Sequence, residues 1–173
     1  MKEKVKRLAF YFVLFSILGW LWEIFLSFLM TKHFVNRGML FGPWTPIYGF
    51  GAAIVVLLSD KLKKPWQLFV TVFVASGVLE YATAFVFEEL YHAKWWDYSV
   101  MYFNLQGRIC LEYLLLFATV ACLVAYIVIP FIDKFYYKIN TKVLTVILVI
   151  IITAICVDFV FSIFNPNLAA TFL

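Results

Sequence analysis

The chain has 173 residues, of which 65% are hydrophobic and only 14% are charged. Soluble domains are typically about 45–50% apolar and about 25% charged. This composition excludes a water-soluble globule covered by polar side chains and predicts an integral membrane protein. The net charge of +4 is typical of Lys and Arg in cytoplasmic loops, so no nucleic-acid partner is expected. The length allows one transmembrane domain, residues 1–173.

Five apolar segments approach the length needed to cross about 30 Å of hydrocarbon, and none shows the alternation of a strand. They predict an all-α fold, a polytopic helical bundle of about five spans. The second segment is marginally short. The predicted spans are Leu8–Met30, Pro46–Ser59, Trp66–Leu90, Gly107–Pro130 and Lys142–Phe164.

The distribution of Lys and Arg predicts the orientation of these spans. Basic residues cluster before the first, between the second and third, and between the fourth and fifth segments: Lys2, Lys4, Lys6, Arg7, Lys61, Lys63, Lys64, Lys134, Lys138 and Lys142. The positive-inside rule then places the N-terminus in the cytoplasm of a multi-pass cell-membrane protein. Trp66 is expected at the inner interface, and Trp44, Trp95 and Trp96 at the outer one.

The first outer loop is rich in glycine and proline. The segment from Gly42 to Gly51 holds three glycines and two prolines, a backbone that resists a regular helix start. A re-entrant turn that lines a cavity and a plain tight loop both agree with this pattern.

Four acids fall inside the predicted spans: Glu23, Glu80, Glu112 and Asp158. Counted from the span ends, all four lie in one layer roughly 6–9 Å below the outer surface. Glu23, Glu80 and Asp158 share a helix face with small or hydroxyl residues, so these three are expected to face other helices rather than lipid.

Such acids need partners, because an ionised side chain at mid-bilayer costs about 2.5–3.5 kcal/mol. Arg108 and Glu112 are spaced i, i+4 and are expected to pair on one helix, and Arg37 is a second cation near the layer. Two interpretations stay open. The acids either bind a cationic or hydrogen-bonding ligand or a proton, or they form structural ion pairs and hydrogen bonds.

The predicted ligand site lies between the two outer loops, over the acid layer. Arg37 and Arg108 would position the acids, and the loop that begins at His92 would supply an aromatic wall with cation–π capacity. The predicted ligand-binding residues are Glu23, Arg37, Tyr48, Glu80, Trp95, Trp96, Asp97, Tyr98, Asn104, Arg108, Glu112 and Asp158.

Motifs for catalysis and cofactors do not occur in the sequence. It contains no P-loop, nucleophile elbow, HExxH or CxxC pattern. The Glu89–His92 pair has the spacing of two metal ligands on one helical turn, but an ordinary interfacial pair explains it better. No metal, cofactor or catalytic residue is therefore predicted, and an enzyme is the less favoured class.

Several motifs of the chain resemble those of the ABC-transporter type IV (CmpB-like permease) family of bacterial multi-pass membrane proteins. They are Gly19-Trp20-Leu21-Trp22-Glu23, Asn36-Arg37-Gly38, Gly42-Pro43, Pro46–Gly51, Glu80-Tyr81, His92–Ser99 and Asn104–Ile109. The resemblance covers about Gly19 to Pro130. It implies a membrane subunit that works with a separate ATPase, and it supplies neither a substrate nor catalytic residues.

The favoured hypothesis is thus a permease-like protein that binds or translocates a small solute through an outer-facing vestibule. The alternatives are an interfacial enzyme acting on a lipid or lipid-linked substrate, and a structural or assembly subunit. Membrane lipids, an ATPase subunit and further copies of the chain are the partners considered.

Overall fold

A computed structural model describes residues 3–36, 38–62 and 64–167. Two short strands, β1 (Asn104–Leu105) and β2 (Ile109–Cys110), form an antiparallel pair, and the rest of the regular structure is helical. The helices are α1 (Glu3–Thr31), α2 (Pro46–Ser59), α3 (Pro65–Tyr91), α4 (Leu111–Leu123), a π-helical turn (Val124–Val128), α5 (Ile129–Tyr136) and α6 (Thr141–Phe164).

The prediction of an all-α membrane protein is confirmed. Among the described residues, four helical stretches are long and apolar enough to cross a membrane: Glu3–Thr31, Pro65–Tyr91, Leu111–Tyr136 and Thr141–Phe164. The second predicted segment is a helix with the expected bounds, but its 14 residues extend only about 21 Å. Alone, it is too short to cross about 30 Å of hydrocarbon.

The helical stretch Leu111–Tyr136, which corresponds to the fourth predicted span, differs from its predicted bounds at both ends. It begins at Leu111 rather than Gly107, because Asn104–Cys110 form the strand pair instead. It continues past Pro130 to Tyr136, although proline ordinarily ends or kinks a helix. The π-helical turn at Val124–Val128 lies directly before this proline, where a local widening accommodates the missing N–H and the bulk of the ring.

Local sequence signals explain where the other helices begin and end. Proline is the first residue of α3, where its missing N–H is not needed. The side chain of Asn140 accepts hydrogen bonds from Lys142 N and Val143 N and thereby caps α6. Lys32 and His92, which follow α1 and α3, adopt left-handed backbone conformations typical of helix C-termini.

The described chain groups into two compact units. The first comprises Met1–Ile54 and Lys134–Leu173. Its core joins α1, α5 and α6 through Val13, Tyr136, Leu144 and Leu148. The start of α2 packs closely on α1, because a Cβ at Gly49 would lie 2.8 Å from a ring carbon of Phe12 and would overlap Ser16 Oγ.

The second unit is Val55–Asp133, in which α3 packs against α4. Gly77 marks their contact, since a Cβ there would lie 3.4 Å from Leu114 Cδ1. Such small residues allow membrane helices to approach closely where no hydrophobic effect drives them together. The segment between α3 and α4 includes the strand pair and lies within this unit.

We predict that Gly49→Ala lowers the thermal stability of the purified protein in detergent, because the new methyl group also meets the backbone carbonyl of Phe12 at 2.5 Å. Overpacking of this kind typically costs about 1–3 kcal/mol. Gly51→Ala is the matched control, two residues along α2, where a Cβ meets no atom within 4 Å. An equal loss of stability in both variants would contradict the close contact.

Candidate functional site

Loop one, residues 32–45, turns back along α1. The amide of Thr45 donates a hydrogen bond of 2.9 Å to the carbonyl of Ser16. Ser16 lies 15 residues before the end of α1 at Thr31, which corresponds to about 22 Å of helix axis. The remaining part of α1 is about 20 Å long, close to the length of α2. Loop one therefore runs back along α1, as a re-entrant turn would, instead of closing tightly beside Thr31.

The Asp158 side chain on α6 binds residues 41–44 of loop one. Its carboxylate accepts hydrogen bonds from Phe41 N at 3.2 Å, Gly42 N at 2.8 Å and Trp44 Nε1 at 2.8 Å. Ser162 Oγ donates a fourth at 3.2 Å. Irregular backbone at membrane depth is tolerated only where its polar groups find protein partners. Asp158 supplies those partners.

Two asparagine side chains form hydrogen bonds with much of the remaining backbone of loop one. Asn36 Nδ2 donates to Leu40 O at 3.0 Å, and Asn36 Oδ1 accepts from Trp20 Nε1 at 3.2 Å. Asn167, after the end of α6, donates to Asn36 O and Gly38 O at 3.1 and 3.0 Å. Loop one is thus held by side chains from α1, α6 and the segment that follows α6.

Glu23 and Tyr48 are brought together in the first unit. The Tyr48 hydroxyl donates a short hydrogen bond to Glu23 Oε1. Gly19 leaves room for the tyrosine, because a Cβ at this position would lie 2.7 Å from Tyr48 Cβ and overlap the ring. Arg37, the predicted cation of this loop, lies outside the described residues.

Glu80 is the predicted site acid that the second unit buries. It lies on α3 with 7% of its surface exposed, and its Oε1 accepts a hydrogen bond of 3.0 Å from the Tyr98 hydroxyl. The Tyr98 ring stacks on Tyr113 of α4 with 4.9 Å between ring centroids. A residue of the segment between α3 and α4 thereby reaches an acid within a membrane-length helix.

Loop three, residues 92–110, is folded by its own polar groups. The Asp97 carboxylate accepts from Ser99 Oγ at 2.5 Å, from Lys94 Nζ at 2.9 Å and from Ser99 N at 2.9 Å. These hydrogen bonds, that from the Ser99 hydroxyl foremost, lower the pKa of Asp97 to about 2. Asn104 donates to Met101 O and accepts from Gly107 N, and Gly107 has the positive φ of 70° that glycine adopts without strain.

The predicted ion pair between Arg108 and Glu112 is wrong. Arg108 precedes α4, which begins at Leu111, so the i, i+4 geometry of a helix does not apply. Arg108 instead pairs with Glu88 of α3, with Nε and Nη2 at 2.9 and 2.6 Å from the same carboxylate oxygen. The hydrogen bond to Glu88 is the main reason that the pKa of Arg108 is raised.

Other neighbours complete the surroundings of Arg108. Its Nη1 donates to the Tyr81 hydroxyl at 2.8 Å and to Gln106 Oε1 at 2.5 Å. The guanidinium also lies over the rings of Tyr81 and Phe85, 5.1 and 5.2 Å from their centroids, which is within cation–π range. This contact lies within the protein, and the predicted cation–π contact of a ligand with Trp95, Trp96 and Tyr98 stays a prediction.

Two further predictions need correction. Glu112 is an exposed residue in the first turn of α4, so it does not lie a full turn or more into a span. Trp95 is 5% exposed and packs against Phe87 and Tyr91, so it is a core residue rather than part of an exposed aromatic wall. Trp96 is half-buried, and its Nε1 donates to Arg108 O at 2.9 Å; its predicted role at a ligand site stays a prediction.

Sequence reasoning did not find the partners that hold these groups. Tyr81, Phe85 and Glu88 follow i, i+4, i+7 spacing on α3, a helical stripe that was visible in the sequence. Asn36 lies in one of the motifs named in the sequence, Asn36-Arg37-Gly38. Its hydrogen bonds to backbone groups could not be predicted, because they depend on the path of loop one. No local pattern of residues indicates Asn167.

The chain matches a model of a known protein family. The family model described as "Putative ABC-transporter type IV" matches residues 10–163. The chain belongs to this family. No curated protein and no solved structure matches the chain.

The family match includes both loops, α2 and the acids that they contact, namely Asp158, Glu80 and Glu23. In this ABC-transporter type IV protein, each of these acids accepts a hydrogen bond from a tyrosine, a tryptophan or the backbone of a loop. Within the first unit, Glu23 thus contacts Tyr48 and Asp158 contacts loop one. Within the second unit, Glu80 contacts Tyr98 and Arg108 contacts Glu88.

We predict that Arg108→Gln and Glu88→Gln show strong coupling in a double-mutant cycle, because each variant leaves the other partner unpaired. Thermal unfolding in detergent measures the coupling between the two substitutions. The matched cycle pairs Arg108→Gln with Glu112→Gln and should give additive losses. The reverse pattern, coupling with Glu112 and additivity with Glu88, would contradict the observed pairing.

Proposed function

We propose that the protein is a permease-like membrane subunit of an ABC-type transport system that binds a small solute at Glu80. The solute class would carry a cationic or hydrogen-bond-donating group. The observation that carries the proposal is a 7% exposed glutamate on a membrane-length helix, whose carboxylate accepts a hydrogen bond from a tyrosine of the segment between α3 and α4.

The position of Glu80 favours binding over a purely structural role. A carboxyl group in a span is costly and commonly marks a substrate or proton pathway. Tyr98 contributes one neutral hydroxyl, which a donor group of a solute can replace at the same oxygen. The rings of Tyr98 and Tyr113 would then provide apolar and cation–π contacts to the bound molecule.

Transport by this chain requires a second component. The sequence has no P-loop, so ATP would be hydrolysed by a separate ATPase subunit. The Lys and Arg distribution supports a cell-membrane protein with a cytoplasmic N-terminus. In this arrangement loops one and three face outward, where a solute would arrive.

Asp158 supports a second candidate function, that of a structural or assembly subunit. Its carboxylate already accepts four hydrogen bonds, all from loop one and Ser162. If the other acids also serve only to hold loops, none would exchange its partner for a solute.

We predict that Glu80→Gln inserts and folds but loses solute binding and transport. The amide keeps the size of the side chain but removes the charge that a cationic group would pair with. Solute binding is measured by thermal unfolding in detergent, with choline, tetramethylammonium and spermidine as probes. At least one probe should raise the melting temperature of the unaltered protein and not that of Glu80→Gln.

Glu89→Gln is the matched control, because Glu89 is an exposed acid of the same helix. This variant should keep the full stabilisation by the active probe. Equal responses of the unaltered protein and Glu80→Gln to all three probes would reject Glu80 as the binding group and favour the structural function.

A further inference from the structure

A cavity of about 240 Å³ lies at the beginning of α1 in the first unit. It is lined by Glu3, Lys6, Tyr136, Tyr137, Ile139, Thr141 and Leu144. Three membrane-length helical stretches begin or end among these residues, at Glu3, Tyr136 and Thr141. The cavity therefore lies at the level of a membrane interface, where lipid headgroups are found.

Lys6 is the unusual residue of this cavity. It is only 3% exposed, although lysine is almost never fully buried unless it is paired. Its Nζ lies 2.5 Å from Glu3 Oε2, and Tyr136 donates to the other oxygen of Glu3 at 2.8 Å. Glu3 itself has a side chain that is 58% exposed, so the pair combines a buried cation with an anion in contact with solvent.

The Lys6 ammonium has donor capacity left over. It carries three N–H donors, and Glu3 is its partner among the residues that the structure describes. Buried donors without acceptors are costly. A cavity of this volume holds more than the single water that a small void admits. A group with several acceptor oxygens would satisfy the remaining donors.

The rest of the lining suits an anionic group next to apolar chains. The hydroxyls of Tyr137 and Thr141 add two donors, and Ile139 and Leu144 add an apolar wall. The segment that contributes these residues also carries Lys134, Lys138 and Lys142. Basic residues in such a position attract anionic lipid surfaces.

We propose that this cavity binds a phosphate group, that of a phospholipid headgroup, with Lys6 as its main donor. Glu3 and the phosphate compete for the same ammonium, so binding displaces the Glu3 carboxylate toward solvent, where it is already half exposed. Glu3 and Lys6 precede the residues matched by the family model, and the site is independent of the function proposed for Glu80.

Native mass spectrometry of the full chain in detergent, titrated with phosphatidylglycerol, tests the proposal. Lys6→Met keeps the length of the side chain but removes its donors, and should weaken the tightest lipid adduct about tenfold or more. Lys4→Met is the matched control, because Lys4 is exposed and does not line the cavity. Its lipid affinity should stay within about twofold of the unaltered protein.

Glu3→Gln keeps the test decisive if Lys6→Met does not fold. Removing the competing carboxylate should tighten phosphatidylglycerol binding, whereas loss of a merely structural ion pair would weaken it or leave it unchanged. Weaker or unchanged binding by Glu3→Gln, or equal affinities of Lys6→Met and Lys4→Met, would overturn the proposal.

Two further titrations identify the source of the phosphate. Diacylglycerol, which has the acyl chains without the phosphate, should not form the adduct, and equal binding of diacylglycerol would overturn the proposal. Inorganic phosphate that displaces the lipid at millimolar concentration would support the phosphate site and assign it to free phosphate. Failure of inorganic phosphate to compete would assign it to the lipid headgroup.

Discussion

The hydrogen bonds between Asp158 and loop one are the constraint on which the first unit depends. A segment of irregular backbone lies alongside the middle of α1, where a lipid environment offers no hydrogen-bond partners. One carboxylate accepts from two backbone amides and an indole N–H at this point. Because these bonds hold loop one at that level, α2 can begin there and needs only 14 residues.

The same principle extends to the other intramembrane acids. Glu23 and Glu80 each accept a hydrogen bond from a tyrosine of a different chain segment, and the cation Arg108 pairs with Glu88. Asp158 and Glu80 thereby fix a loop to a helix, and Glu23 joins α1 to α2, which are structural roles. The Asp158 carboxylate accepts four hydrogen bonds, whereas a phenol such as that of Tyr98 is a partner that another donor can replace. This replaceable contact at a buried carboxyl is the reason that the solute site is proposed at Glu80.

Much of the fold was predictable because it follows from apolar segment length. The bounds of α2 were predicted correctly, and those of α3 and α6 within one residue. The start of α4 was missed because residues 104–110 form a strand pair that two residues, Gln106 and Gly107, close with positive φ angles. The partner of Arg108 was missed for the same reason. An i, i+4 argument holds only where both residues are helical, and the true partner lies 20 residues away.

Hydrogen–deuterium exchange of Asp158→Ala, compared with the unaltered protein in detergent, tests the central claim most directly. The substitution removes the acceptor of the Phe41 and Gly42 amides, so peptides covering residues 38–45 should exchange much faster. Peptides covering residues 94–108 in the second unit should be unchanged and serve as the internal control. Unchanged protection at residues 38–45 would contradict the account, because loop one would then hold its position without Asp158.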